Sequence, residues 1–252
     1  FRSVWYLCRF KTAPLSLSHF RPKLSVTGFV AKLGTANFFN QIAMMIVQIV
    51  MNKSLTYYGS QSVYGESIPL ACAGIITKVG MVFFSICIGL SQGMQPIVSF
   101  NYGAGNYKKV KQAYRLAAGI GTIISVIAFF AFQIFPRQLI GIFGSSQNEA
   151  YYTFAVRYFR IYMFFTFLNA IQPISSNFFT AIGKPGKGIF LSLTRQIIFL
   201  LPLIVIFPLF LGVDGIMYAG PIADFIAAMV SMILIYKEFG KINKLEEATC
   251  ES

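Results

Sequence analysis

Apolar residues run through this chain in long stretches that no charge interrupts, separated by short polar or basic connections. Residues 33–52, 116–135, 161–183 and 196–213 hold no Asp, Glu, Lys or Arg, while 67–90 is broken only by Lys78 and 215–236 only by Asp224. Each stretch meets the requirement of roughly 20 apolar residues for a helix that crosses a hydrocarbon core about 30 Å thick. The pattern predicts an all-α membrane protein, a six-transmembrane-helix bundle, with helices over about 33–57, 67–91, 113–135, 154–181, 188–211 and 215–236.

Composition agrees. Hydrophobic residues make up 56% of the 252 residues and charged residues 12%, with a mean hydropathy of +0.66. An ordinary globular domain carries roughly 25% charged residues, so this chain cannot cover a water-facing surface. That excludes a soluble enzyme, a disordered tail and a disulfide scaffold.

A net charge of +13 raises the question of nucleic acid, but the basic residues form no single face. They gather in alternate connections. Arg9, Lys11, Arg21, Lys23 and Lys32 precede the first apolar stretch, and Lys108, Lys109, Lys111 and Arg115 follow the second. Lys184 and Lys187 follow the fourth, and Lys237, Lys241 and Lys244 follow the sixth. The other connections hold Glu66, then Arg137 with Glu149, then Asp214. Positive charge marks the cytoplasmic side of a membrane. Both chain ends are therefore expected in the cytoplasm, with 8–32 a basic linker and 237–252 a tail. Residues 1–7 (FRSVWYL) read as the last turns of a preceding helix, so the chain is expected to be truncated at its start.

Catalytic material is scarce. The run GKPGKG at 183–188 lacks the spacing of a phosphate-binding loop and reads as a turn, and Gly103 and Gly105 begin no GxGxxG. The only histidine, His19, has no Cys or carboxylate close in sequence, and Cys8, Cys72, Cys87 and Cys250 form no CxxC pair. The expectation is a protein that is not an enzyme and holds no cofactor or metal.

Polar residues inside the apolar stretches follow helical spacing. Asn37, Gln41, Gln48 and Asn52 fall on one stripe of the first stretch, with Met44 and Met45 between them. Tyr162, Phe165, Asn169, Gln172 and Ser176 repeat the pattern in the fourth, and Lys78, Ser85 and Gln92 recur every seven residues in the second. Lipid offers amides no hydrogen bonds, so these stripes must face protein or water. They are expected to line a shared polar and aromatic cavity; the alternative is hydrogen bonding that only holds the bundle together. Lys78, Arg195 and Asp224 are the deep charges, and Asp224 is expected to pair with Lys78 or Arg195. Pro173, Pro202, Pro208 and Pro221 mark interruptions of the helical backbone.

One segment is more specific than any periodicity. Residues 89–107 read GLSQGMQPIVSFNYGAGNY and lead into KKVKQAYR. This closely resembles the multidrug and toxic compound extrusion (MATE) family, with Gln92, Gln95, Pro96, Asn101, Tyr102, Gly103 and Ala104 at the matching positions. Two further stretches, 181–203 and 212–225, are similar to the family's GKP loop with its Arg-containing helix and to its last helix.

The resemblance implies one lobe of a twelve-helix transporter, the second or C-terminal lobe, with 8–32 as the interlobe linker. It implies export of amphipathic, often cationic small molecules by alternating access, driven by inward Na⁺ or H⁺. Some branches of the family place cation-binding carboxylates in this lobe, including one on its first helix. Here the first and fourth stretches offer none, so the coupling-ion site is expected in the N-terminal lobe. The implied partners are the lipid bilayer, the small-molecule substrates and that lobe, in the plasma membrane. Two other readings stay open: a lipid-linked glycan flippase of the same superfamily, which should have a more cationic cavity, and a non-transporting membrane assembly subunit, whose polar stripes should be filled by its own side chains.

Overall fold

The computed structural model describes residues 24–143 and 149–250, which are helical nearly throughout. In chain order the elements are α1 (Leu24–Ser60), α2 (Ser67–Gly103), α3 (Tyr107–Ile134), α4 (Pro136–Phe143) and α5 (Glu149–Tyr162). A 3₁₀ turn (Thr166–Leu168) leads to α6 (Ile171–Ala181) and α7 (Pro185–Leu193). A π-helical segment (Thr194–Leu200) then joins α7 to α8 (Leu201–Leu211), and α9 (Val213–Cys250) closes the chain. Residues 1–7, and the linker as far as residue 23, lie outside the described residues.

Four of these helical runs are long and apolar enough to cross a membrane: Ser67–Gly103, Tyr107–Ile134, Pro185–Leu211 and Val213–Glu247. Large side chains cover much of the outer surface, with Met45 65% exposed, Phe100 76% and Phe210 82%. A water-soluble monomer does not carry apolar surface on that scale. The chain is a multi-pass membrane protein.

Several boundaries differ from the sequence expectation, each for a local reason. The second helix was expected to stop near residue 91, ahead of Gln92, Gln95 and Pro96, yet α2 continues through all three to Gly103. A proline removes one backbone hydrogen bond, and membrane helices tolerate that loss where neighbouring groups compensate. The last helix likewise extends through most of 237–252 as α9, and α1 begins inside the expected linker, at Leu24. The short helix α4, which opens on Pro136, was not expected at all; proline suits the first helical position because the N–H it lacks would be unpaired there.

The fourth stretch is not one helix. It breaks between Tyr162 and Ile171 into α5, the 3₁₀ turn and α6. Pro173 accounts for the site of the break: its ring clashes with the carbonyl four residues back, at Asn169, and it has no N–H to donate there. At the third position of the new helix the missing donor costs nothing, because the first turn's N–H groups have no intrahelical partner. Pro202 sits similarly just beyond the π segment, whose wider turn releases the carbonyl that the proline cannot pair.

This broken segment occupies the middle of the bundle. Phe154, Tyr158, Phe159, Ile174, Phe178 and Phe179 are all 1% exposed or less. Edge-to-face rings link it to its neighbours, as in Phe132–Phe159 at 5.5 Å and Tyr114–Phe178 at 5.0 Å. Between membrane helices, where lipid is as apolar as the side chains, such van der Waals packing supplies most of the cohesion.

Ion pairs tie like ends together. At one end Lys111 bonds Glu246, and Lys184 and Lys187 both bond Glu238, gathering the α2–α3 turn, the α6–α7 turn and the end of α9. At the other, Arg137 pairs with Glu149 at 3.2 Å and Arg157 with Asp214 at 3.0 Å. The connections therefore segregate as their charges suggested.

The GKPGKG run is a helix hairpin. Gly183 has φ 74°, a value glycine adopts without strain, and Pro185 starts α7. Gly188 lies so close to α6 that a Cβ there would sit 2.6 Å from the Ser176 carbonyl oxygen. Because that neighbour is backbone, Gly188→Ala is expected to destabilise the protein by about 1–3 kcal/mol. Thermal unfolding in detergent would show a lowered midpoint, and an unchanged midpoint would mean that the two helices separate freely.

Candidate functional site: a buried charge cluster and an uncovered polar stripe

The α5–α6 break, the π segment and the proline-bearing part of α9 converge on one place. Asn169 sits in the break between α5 and α6, Arg195 in the π segment, and Asp224 on α9 one turn beyond Pro221. Asp224 is 6% exposed and Asn169 8%. The Arg195 Nε–H donates to Asp224 Oδ1 at 2.6 Å, and the Asn169 amide donates to Oδ2 at 2.9 Å. Both carboxylate oxygens are thus satisfied, as a charge removed from water requires. The guanidinium carbon of Arg195 also lies 5.2 Å from the centroid of the Phe84 ring on α2, within cation–π range.

Tyr162 closes the cluster from the end of α5. A Cβ at Gly220 would fall 2.4 Å from its ring, so only glycine lets α9 approach this closely. Phe165 packs on Phe225 with centroids 5.1 Å apart. π segments and broken membrane helices recur at functional positions. This one brings a cation, an anion, an amide and aromatic faces together.

Of the two partners considered for Asp224, the structure selects Arg195. Lys78 is exposed on α2 and makes no ion pair among the described residues. Equal depth made that pairing possible; the face of α2 that Lys78 occupies rules it out. The remaining residues of the fourth stretch also point inward. Gln172 donates to the Leu191 carbonyl at 3.4 Å, and Ser176 to that of Gly188 at 2.8 Å.

The stripe on α1 behaves differently. Ala43, Val47, Met51 and Leu55 form its buried face, whereas Gln41, Met44, Met45, Gln48 and Asn52 are exposed. Gln48 donates to Asn52 at 2.9 Å along the helix. Asn37 belongs to α1, with its side chain outside the described residues. Ser85 on α2 is exposed and donates to the Met81 carbonyl at 2.8 Å. The three stripes therefore divide: the fourth stretch faces α7 and α9, and the polar positions of α1 and α2 lie on surface that the described residues leave open.

The MATE-like signature residues build the α2–α3 turn. Asn101 donates to the Ile97 carbonyl at 2.8 Å, and its own carbonyl accepts from the Asn106 N–H at 2.9 Å. Tyr102 meets Tyr107 edge to face at 5.7 Å. Gly103 ends α2 and Ala104 caps it, while Gly105 carries the positive φ of 74°. Gln92 and Pro96 are exposed on α2 and Gln95 is half-buried. Sequence reasoning missed Gly220, Asn169 as the partner of Asp224, and Glu238, which is fully buried although it lies in the expected tail. Gly220 beside Pro221, one turn from a buried acid, was the available signal for close packing.

The family model described as MatE matches residues 36–206. The multidrug export protein MepA of Staphylococcus saprophyticus is 25% identical over 235 residues, covering 92% of this chain and 49% of that protein. MepA of Staphylococcus aureus strain MRSA252 is 22% identical over the same shares. Among solved structures, an outward-facing multidrug resistance MATE family transporter of the MOP superfamily superposes with a TM-score of 0.83 at 19% identity, over 96% of this chain and 53% of that one. A MOP superfamily transporter from Pyrococcus furiosus, described as having a binding pocket of reverse polarity, gives 0.83 at 18%, over 95% and 53%. The chain spans about half the length of the curated relatives it matches.

Proposed function

The chain belongs to the MatE family, and from that premise we propose that it is the C-terminal lobe of a multidrug efflux antiporter in the plasma membrane. The complete transporter exports amphipathic, cationic small molecules by alternating access, coupled to inward Na⁺ or H⁺ at a site in the N-terminal lobe. The observation that carries this reading is the uncovered stripe Gln41, Met44, Met45, Gln48 and Asn52 on α1. Amides exposed on a membrane helix need a polar surrounding, and a water-filled cleft between two lobes supplies it. Thioethers adapt to varied ligand shapes. Relatives named as multidrug exporters match the chain over 92% of its length, which favours export over catalysis. An assembly subunit would fill these positions from its own chain, and among the described residues nothing does so.

Substrate recognition through amides and thioethers, with few fixed charges, suits broad selection. No covalent step is needed; the lobes rock about the cleft. The test is ethidium efflux from cells expressing the transporter that joins this lobe to its N-terminal half. Gln41→Leu with Gln48→Leu is expected to slow efflux about two- to tenfold, the weight of one or two hydrogen bonds, at unchanged protein level. Dissipating the gradient of the coupling ion, Na⁺ or H⁺, is expected to stop it. Efflux that survives loss of both gradients would sink antiport, and full-rate efflux in the leucine variant would remove α1 from the cleft wall.

A further inference from the structure

The hairpin of α2 and α3 leaves an open groove of about 990 Å³ between its two arms. Gly89 and Gly93, one turn apart on α2, form its floor. Such a pair ordinarily marks close helix packing, but here, among the described residues, no atom beyond the helix lies within 4 Å of where either Cβ would be. The sides are apolar and exposed: Ile97 is 54% exposed and Leu116 66%. From Asn101 beside the turn to Gly89, the groove follows residues 89–101 of α2, about 18 Å at 1.5 Å per residue. That is slightly more than half of a roughly 30 Å hydrocarbon core, the depth of one leaflet.

The mouth is cationic. Lys109 and Arg115 line it with Gln112, and among the described residues neither cation has an ion-pair partner. At this end Lys111 is neutralised by Glu246, and Lys184 and Lys187 share Glu238. Of the cations there without an ion pair among the described residues, Lys109 and Arg115 are the ones that line the groove.

We propose that this groove binds one anionic phospholipid from the leaflet at the basic end of the bundle. Its phosphate sits at Lys109 and Arg115, and one acyl chain lies over Gly89 and Gly93. A protein segment would need neither the one-leaflet depth nor the unpaired cations, whereas basic pockets between membrane helices suit anionic headgroups. The site is independent of which compound is exported, so its failure and the failure of the transport reading are separate results.

The test uses the complete transporter in dodecyl maltoside with equal amounts of phosphatidylglycerol and phosphatidylcholine, and native mass spectrometry to count retained lipid. Phosphatidylglycerol is expected to be retained in preference. Lys109→Gln with Arg115→Gln should cut that retention about tenfold. Gly93→Leu, whose side chain enters open space, should displace the lipid while leaving thermal unfolding unchanged. Equal retention of the two lipids, or phosphatidylglycerol retention unaltered in both variants, overturns the proposal. So does rapid disulfide formation between Gly93→Cys and a cysteine on the N-terminal lobe, which would show that protein covers the groove.

Discussion

Asp224→Asn is expected to lower the unfolding midpoint of the complete transporter and to abolish efflux. The double variant Arg195→Met with Asp224→Leu is expected to recover part of the midpoint and none of the efflux. In the single variant Arg195, with a side chain only 16% exposed, keeps its charge and loses the carboxylate that accepts its Nε–H. Breaking a buried pair by removing one partner costs about 3 kcal/mol or more, and an unpaired charge at membrane depth costs a similar amount. Asparagine can still accept from Asn169, so the loss isolates the charge and leaves the packing intact. Removing both charges leaves no unpaired charge, and replacement of a whole buried pair is often neutral or stabilising. The buried Asn169 amide, which loses its acceptor in Asp224→Leu, keeps a cost of about 1–3 kcal/mol. Efflux separates the two roles. The pair joins the α5–α6 break and the π segment to α9 beside Pro221, so under the proposed alternating access it locks these segments in register. An unchanged midpoint in Asp224→Asn would show that the pair contributes nothing, and full efflux in the double variant would reduce it to packing.

Much of the bundle was legible because its determinants are local. Charge-free stretches of about 20 residues locate helices wherever the solvent is hydrocarbon, and alternation of basic with other connections sorts their ends. What escaped depended on neighbours. Nothing in the sequence near Gln92 and Pro96 says that α2 runs on to Gly103, because the groups that tolerate the proline are tertiary. The break before Pro173 and the π segment before Pro202 follow from the same residues that signal kinks, but whether a proline bends or divides a helix depends on what receives the freed carbonyls. Periodicity placed Asn37, Gln41, Gln48 and Asn52 on one face of α1 and Tyr162, Asn169 and Gln172 on one face of the fourth stretch. It could not say that the second face would be covered by α7 and α9 and the first left open. Depth along a helix is legible in a sequence; azimuth relative to other helices is not. That is why Lys78 and Arg195 were equal candidates for Asp224.

The clamp at the other end of α9 reverses the usual expectation for an acid and two bases. Glu238 is fully buried, while the side chains of Lys184 and Lys187 are 36% and 37% exposed. Lys184→Met with Lys187→Met is therefore expected to be far more damaging than Glu238→Gln, although each removes both ion pairs. Losing the lysines strands a carboxylate out of water with no cation, at a cost of about 3–5 kcal/mol if it stays ionised. Losing the carboxylate leaves two ammonium groups on flexible stems that can turn to water or lipid headgroups, for about 1 kcal/mol or less. Either lysine alone should suffice, so Lys184→Met and Lys187→Met taken singly are expected to lie close to wild type and to combine non-additively. Unfolding midpoints of the four variants decide this. If Glu238→Gln proved the most damaging, the clamp would be holding the α6–α7 turn to α9 through its charge, and burial of the carboxylate would not be what sets its strength. The predicted order instead makes the two lysines the tolerable half of the arrangement and Glu238 its constraint: α9 can bury an acid here because the GKPGKG turn brings two bases to it.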